Sequence, residues 1–351
     1  MKREEVVSDI EKRLIPIGRI LEDENYNVWG CSPVYGDDGL VHVFYSRWKN
    51  KYDHTGWLSA CEIAHAVADK PEGPYRFVGV ALSGRGGNHW DSWTIHNPSV
   101  YKVDGKFVLL YLGSDGSKLN KTCDELSEMS KEESSCYFKK LVQTQRVGMA
   151  ITDDLNKEWT RISDKMPTID ISDDSKDWDS ACVSNPAFVK TPEGKYRYYY
   201  KAFGKDDREK NLVNRRYGFA EAEKLEGPYI KYAGNPVVDF SKFGKIIQLE
   251  DAYIWYEKEK YHIIMRDMGV FNHEYGLYIK SENGIDWSEP EIGYYQADKY
   301  FKEEILEISR EGRFERPQML MNGENPEYLF CAFRGGKYKT SSGVVFKIAN
   351  T

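Results

Sequence analysis

Two adjacent carboxylates, Glu250 and Asp251, open a stretch that otherwise reads as a buried strand, Ala252-Tyr253-Ile254-Trp255. Glu and Asp are seldom buried without partners, so a pair at the mouth of an apolar run asks for a chemical role. Four other stretches repeat the design: Cys31-Ser32-Pro33-Val34-Tyr35, His96-Asn97-Pro98-Ser99-Val100, Ser184-Asn185-Pro186-Ala187-Phe188 and Glu315-Arg316-Pro317-Gln318-Met319. Aligned on Ser32, Asn97, Asn185, Asp251 and Arg316, the five are 65, 88, 66 and 65 residues apart. Trp90-Asp91-Ser92 and Trp178-Asp179-Ser180 precede the second and third copies and are themselves 88 residues apart. If the copies converge, Glu250, Asp251 and Glu315 meet, with Asp91 and Asp179 reaching in from loops. Cleaving a bond between sugars needs two carboxyl groups, one as acid and one as base or nucleophile. Crowding pushes one carboxyl pKa up and keeps an acid protonated near neutrality.

A β-propeller would bring these residues together. Each copy begins a unit of about four short strands with turn signals between them. In the first, Pro33–Tyr35 and Val41–Tyr45 flank an Asp38-Gly39 turn, a good hairpin signal. In the second, Pro98–Val103 and Phe107–Tyr111 flank Asp104-Gly105. The turns Glu72-Gly73-Pro74-Tyr75 and Glu226-Gly227-Pro228-Tyr229 fall at matching places in the first and third units. The reading is a single all-β domain, a five-bladed β-propeller over 1–351, with blades near 24–82, 90–165, 178–240, 246–296 and 312–349. Residues 1–13 form a polar lead-in that suits a helix, Ile15–Leu21 an edge strand, 114–136 a surface insertion loop, and 299–313 a charged helix.

In such a fold the starts of the inner strands and the ends of the second strands share one face. That face then collects His96, Asn97, Asn185, Glu250, Asp251, Glu315 and Arg316 with Arg47, Lys201, Arg266, Asp267 and Arg334. Trp29, Trp90 and Trp93 are candidate stacking platforms, with core packing as the plainer role for each. The plainer reading of the charges is a structural ion network. Asn97 and Asn185 before Pro also suit strand starts by turn chemistry alone. A surplus of Arg and Lys around the funnel suits a uronate or sulfated sugar, and equally suits neutralising the carboxylates.

Composition narrows the classes. The 351 residues include 25 Tyr and 9 Trp, which favours strands and suits stacking against sugar rings. The net charge is −7 and there is no basic block, which argues against nucleic acid. No run approaches the roughly 20 apolar residues of a membrane-spanning helix. The charged start, Met1-Lys2-Arg3-Glu4-Glu5, lacks a signal peptide's apolar core. The expectation is a cytoplasmic protein, or an exported one whose signal has been removed. Six Cys suggest no disulfide framework, with Cys123 and Cys136 as a pair in an exported protein. His54, His89 and His273 form no metal-ligand spacing; no cofactor is required, and a structural calcium or other ion is allowed but not demanded.

The whole pattern, over about residues 15–349, resembles the five-bladed propeller glycosidases, which include glycoside hydrolase families 32, 43, 68, 117 and 130. Leu249-Glu250-Asp251-Ala252 resembles the strand that carries the general-acid Glu of family 43, which implies that Glu250 is the acid. That family also implies a base Asp in the first blade and a pKa-tuning Asp later; here Ser32 and Asn185 stand at those places. The Glu250-Asp251 pair and Asn185-Pro186-Ala187 resemble elements of family 130, whose members are often phosphorolytic. Glu315 matches an acidic position of family 117. The resemblance implies a glycoside hydrolase acting on a plant or algal oligo- or polysaccharide. In it Glu250 and Asp251 supply acid and positioning roles, Glu315 is the second carboxylate, and Asp91 or Asp179 replaces the base. A glycoside phosphorylase and a non-catalytic sugar-binding propeller are the alternatives.

Overall fold

The computed structural model describes residues 4–52, 54–209, 214–244, 247–301 and 312–350. Five antiparallel four-stranded sheets follow one another around an axis, a five-bladed β-propeller. The inner strands are Tyr26–Tyr35, Ile95–Val103, Cys182–Lys190, Gln248–Glu257 and Glu315–Asn322. The first four carry β-branched and aromatic residues, which pack well on a pleated, half-buried surface, while the fifth buries Met319 and Leu320 instead. The core lies between neighbouring blades. Tyr198 and Tyr200 of blade three meet Leu110 and Met149 of blade two, while Tyr199 and Phe219 pack towards Ile254 and Ile263 of blade four. The alternating tyrosines of one strand thus fill two interfaces, as the two-residue period of a strand requires.

The ring is closed by the amino-terminal strand. Leu14–Ile20 pairs antiparallel with Thr340–Ile348 and becomes the outermost strand of blade five. Before it, Asp9–Lys12 is a single helical turn whose Ser8 side chain accepts from Glu11 N at 3.1 Å. The segment read as a loop over 114–136 instead carries two helices, Cys123–Glu128 and Lys131–Thr144. Each starts with a capping box, Thr122 with Glu125 and Ser130 with Glu133. The signal was present in the sequence as Thr or Ser followed three residues later by Glu. The charged helix read over 299–313 lies, from 302 to 311, outside the described residues. Both Glu-Gly-Pro-Tyr turns close alike: Tyr75 Oη donates to Pro71 O at 2.8 Å and Tyr229 Oη to Leu225 O at 2.7 Å.

All five inner strands slip register against the second strand at the same height. At each slip one residue has left-handed backbone: Gly30 (φ 63°), Asn97 (54°), Asn185 (44°), Asp251 (60°) and Arg316 (54°). A bulge of this kind re-aims side chains, and here it turns them towards the axis. The first-blade equivalent is therefore Gly30 and not Ser32. Ser32 sits deeper in the sheet, donating to Gln318 Oε1 at 2.9 Å and accepting from Val100 N at 2.8 Å. Gly suits the left-handed region and Asn and Asp tolerate it; Arg does so only when its surroundings hold it there.

A Cβ on Gly30 would lie 3.3 Å from Arg316 Cγ and Nε. Gly30→Ala should therefore lower stability by about 1–3 kcal/mol through backbone conformation alone, with more from the crowding. Urea unfolding checks this, and an unchanged midpoint would contradict the assignment of Gly30 to the bulge.

Candidate active site

The bulges converge on a cavity of about 510 Å³ at the face where the inner strands begin. At its floor Arg316 reaches across the axis. Its backbone N–H donates to Asp251 Oδ2 at 3.2 Å and its Nη1 to Oδ1 at 3.3 Å. Its Nη2 donates to Asn97 O at 3.2 Å, Pro98 O at 3.0 Å and Ser99 Oγ at 3.2 Å. Asn185 Nδ2 donates to the same Asp251 carboxylate. The bare Cα of Gly30 leaves room for the arginine stem. Blades one, two, four and five thus meet at one side chain that is 1% exposed, and blade three joins through Asp251. Burial pushes the Asp251 carboxyl up, but Arg316, Lys201 and Arg266 outweigh it and hold the group below its usual range.

Above this floor lies a second charged layer. Glu250 accepts from Lys201 Nζ at 2.8 Å, from Arg266 Nη1 at 3.2 Å and from Arg215 Nη1. Glu315 accepts from Arg313 Nε at 2.5 Å and lies 3.4 Å from the same Arg266 Nη1. Because Arg266 Nη1 sits 3.2 Å from one carboxylate and 3.4 Å from the other, the two acceptor oxygens are less than about 7 Å apart. Carboxyls that act across one glycosidic bond are roughly 5–9.5 Å apart. Burial, followed by the charge of Arg215, pushes Lys201 down to about 7. Cys182 and the Asp251 carboxylate pull the other way, towards the charged form, but burial dominates.

The opposite wall is aromatic and uncharged. It comprises Trp29 and Trp57 with His54, His96 and Gln145. Burial and the nearby Arg316 push the His96 imidazole down to about 3, so it is neutral at ordinary pH. Gln145 Nε2 lies 3.2 Å from His96 Nε2, and Trp57 meets the imidazole edge-on at 5.3 Å. His96 Nδ1 has no partner among the described residues. Gln145 enters from the end of the insertion helix Lys131–Thr144, and Trp57 from the short helix Gly56–Ser59.

Of the residues the sequence singled out, Glu250, Asp251, Glu315, His96, Asn97, Asn185, Lys201, Arg266, Arg316 and Trp29 line this cavity. Six others do not. Asp91 is wholly buried elsewhere, accepting from Arg85 Nε at 2.6 Å, Arg161 Nε at 3.0 Å and Tyr111 Oη at 3.1 Å. Asp179 repeats the arrangement, accepting from Lys231 Nζ at 2.7 Å and Tyr200 Oη at 3.0 Å. Their tryptophans stack on the same tyrosines, Trp90 on Tyr111 and Trp178 on Tyr200. The Trp-Asp-Ser repeat is thus a sheet anchor, and neither aspartate is a replacement base. Arg47 pairs with Glu62 at 2.8 Å and packs over Tyr26 and Phe77. Asp267 accepts four backbone N–H groups, from Gly269, Val270, Phe271 and Asn272, and so folds its own loop. Trp93 Nε1 donates to Ser59 O at 2.9 Å, outside the cavity. Arg334 accepts from Arg19 through its backbone carbonyl and stands away from the cavity.

Sequence reasoning missed Arg215, Arg313, Trp57 and Gln145 and gave His54 and His273 no role, although all six line the cavity. Arg313 could have been found, since a residue two before Glu315 shares its side of an extended chain. The others come from connections outside the repeat. Cys123 and Cys136 are both free. Among the described residues no group of three or more His, Cys, Asp or Glu is placed to hold a metal ion, and no helix is long and apolar enough to cross a membrane. A larger cavity of about 940 Å³ opens where the inner strands end, lined by Val34, Tyr101, Phe188, Tyr253 and Met319. Its lining brings no two carboxylates together.

No family model matches the chain, and no curated protein sequence does. Solved structures do resemble it. A family 117 glycoside hydrolase from the marine bacterium Zobellia galactanivorans is 16% identical with a TM-score of 0.65, covering 95% of this chain and 89% of its own. A family 43 β-xylosidase/α-arabinofuranosidase from a compost metagenome, solved with xylotriose, is 15% identical with a TM-score of 0.57 over 97% and 94% of the two chains. An endo-arabinase from Bacteroides thetaiotaomicron is 9% identical with a TM-score of 0.58 over 99% of each. The fold is that of the five-bladed propeller glycoside hydrolases. At these identities the likeness is one of architecture.

Two outcomes test the geometry. Arg316→Met strands the buried Asp251 carboxylate and should cost about 3–5 kcal/mol, read by urea unfolding, while adding Asp251→Asn should restore part of the loss. Lys201 carries its full charge below about pH 7 and loses it above. Binding of an anionic ligand, followed by calorimetry, should therefore weaken as pH rises through about 7. In Lys201→Arg that fall should vanish, because Arg keeps its charge.

Proposed function

We propose that this protein cleaves a glycosidic bond in the funnel, with Glu250 and Glu315 as the working carboxylates. The observation that carries the reading is their shared contact with Arg266 in one cavity, on a fold common to glycoside hydrolases. Glu250 takes the acid role, donating a proton to the leaving oxygen. Glu315 is the second carboxylate, acting on water or on the sugar carbon. Asp251 is a positioning residue: bound to Arg316 and Asn185, it sets the height of Glu250 beside it. Lys201, Arg215 and Arg266 all hold Glu250, so acid catalysis requires substrate to draw cations away. Arg215 is the most exposed of its three partners, at 27%, and is the one free to turn. Trp29 and Trp57 would hold the sugar face. A plant or algal oligosaccharide is the substrate class implied by the sequence resemblance.

Phosphorolysis is the second reading. It draws on two features, the excess of cations over carboxylates in the funnel and the absence of any carboxylate at the Gly30 bulge. There, inorganic phosphate would replace water as the attacking group.

A panel of aryl glycosides and plant and algal oligosaccharides, assayed with and without phosphate, decides between them. Turnover without phosphate marks a hydrolase; a strict phosphate requirement marks a phosphorylase. Glu250→Gln and Glu315→Gln should each cost about 10²–10⁴-fold in kcat, the usual worth of an acid or base group. Asp91→Asn should lower the melting temperature and spare kcat. If wild type turns over and both glutamine variants keep full activity, the assignment is wrong.

A further inference from the structure

The charges in the funnel do not balance. Lys201, Arg215, Arg266, Arg313 and Arg316 face Glu250, Asp251 and Glu315. Arg316 and Asp251 pair with one another at the floor. Above them four cations stand against two carboxylates, all within one cavity. The donors are not used up either. Nε of Arg215 and Nε of Arg266 are buried, and neither meets an acceptor among the described residues. A buried N–H without an acceptor is costly, more so on a charged group, so the cationic side of the funnel is short of acceptors. The opposite wall, with Trp57 and a neutral His96 whose Nδ1 is also unpartnered, has no charge to offer. The cavity is built for a ligand that is ring-like and uncharged on one side and anionic on the other.

We propose that Arg215, Arg266 and Arg313 form an oxyanion subsite for an acidic group carried by the sugar, a uronate carboxylate or a sulfate ester. This deepens the glycosidase reading and rests on it for the sugar itself. Guanidinium groups suit the purpose, because their planar forks match carboxylate and sulfate oxygens with two parallel hydrogen bonds. An incoming anion also competes with Glu250 and Glu315 for Arg215 and Arg313, and loosens those ion pairs. Neutral sugars would leave those pairs intact.

Monosaccharides test this without turnover. Glucuronate, galacturonate, glucose 6-sulfate, glucose, galactose and inorganic phosphate are titrated calorimetrically into the wild-type protein at pH 6. An acidic sugar should bind at least tenfold more tightly than its neutral counterpart, and the carboxylate and sulfate arms tell which acid is preferred. Arg215→Gln and Arg313→Gln should each lose about tenfold towards the acidic sugar and nothing towards the neutral one, with Arg215→Lys losing less. Equal affinity for acidic and neutral sugars overturns the proposal, and needs no variant to fold. Phosphate that outcompetes the uronates on the same arginines also overturns it, giving the subsite to a free anion. Cleavage of neutral substrates without acid preference would sink the subsite and leave the glycosidase standing. Acid-selective binding without cleavage of any acidic oligosaccharide would do the reverse.

Discussion

The structure hangs on one buried ion pair. Arg316 lies across the propeller axis against Asp251, and its Nη2 reaches two carbonyls of blade two. Removing a guanidinium and a carboxylate from water is expensive, and their attraction repays it only when geometry is good and other hydrogen bonds are made. Both conditions hold here, and both constrain the surroundings. Asp251, Asn185, Asn97 and Arg316 must all adopt left-handed backbone, and the first blade must supply Gly30 so that the arginine has room. The five bulges are one device: four turn a side chain towards the axis, and the fifth, at Gly30, leaves room for it.

That floor sets the height and polarity of everything above it. The charged layer of Glu250, Lys201, Arg215, Arg266, Arg313 and Glu315 belongs to blades three, four and five with their connections. Blades one and two present tryptophan and neutral imidazole instead. The asymmetry follows from where the chain departs from its own repeat. Blade one has a glycine bulge with Trp29 before it, and blade two carries the insertion whose helix delivers Gln145.

Repetition and function are opposed in this chain. The features that recur, Trp-Asp-Ser, the Glu-Gly-Pro-Tyr turns and the asparagine-proline strand starts, do structural work in each copy. Asp91 and Asp179 accept from a tyrosine and cations in the same way because each anchors a loop onto its sheet. The residues that face the ligand space in the charged layer have no counterpart in all five blades. Unlike residues at like positions make one asymmetric pocket from a near-symmetric frame, which is what a substrate with two chemically different ends needs.

The sequence by itself determined the propeller, the blade order and most of the funnel. Turn chemistry and a strand-start motif are local, and their period survives insertions. It could not place the first-blade bulge. Ser32-Pro33 looks like Asn97-Pro98, whereas the left-handed residue that matters is Gly30, two positions earlier, and backbone register is decided by pairing with a neighbouring strand. Nor could it tell that Asp91, Asp179 and Asp267 are consumed by local partners while Glu250 and Glu315 share one arginine. A carboxylate's role depends on which cations reach it, and Arg161, Lys231, Arg215 and Arg313 reach theirs only after the chain has folded. Trp57 and Gln145 lie outside the repeat altogether. Only the packing of the helix Gly56–Ser59 against the helix Lys131–Thr144 brings those two connections over the same funnel.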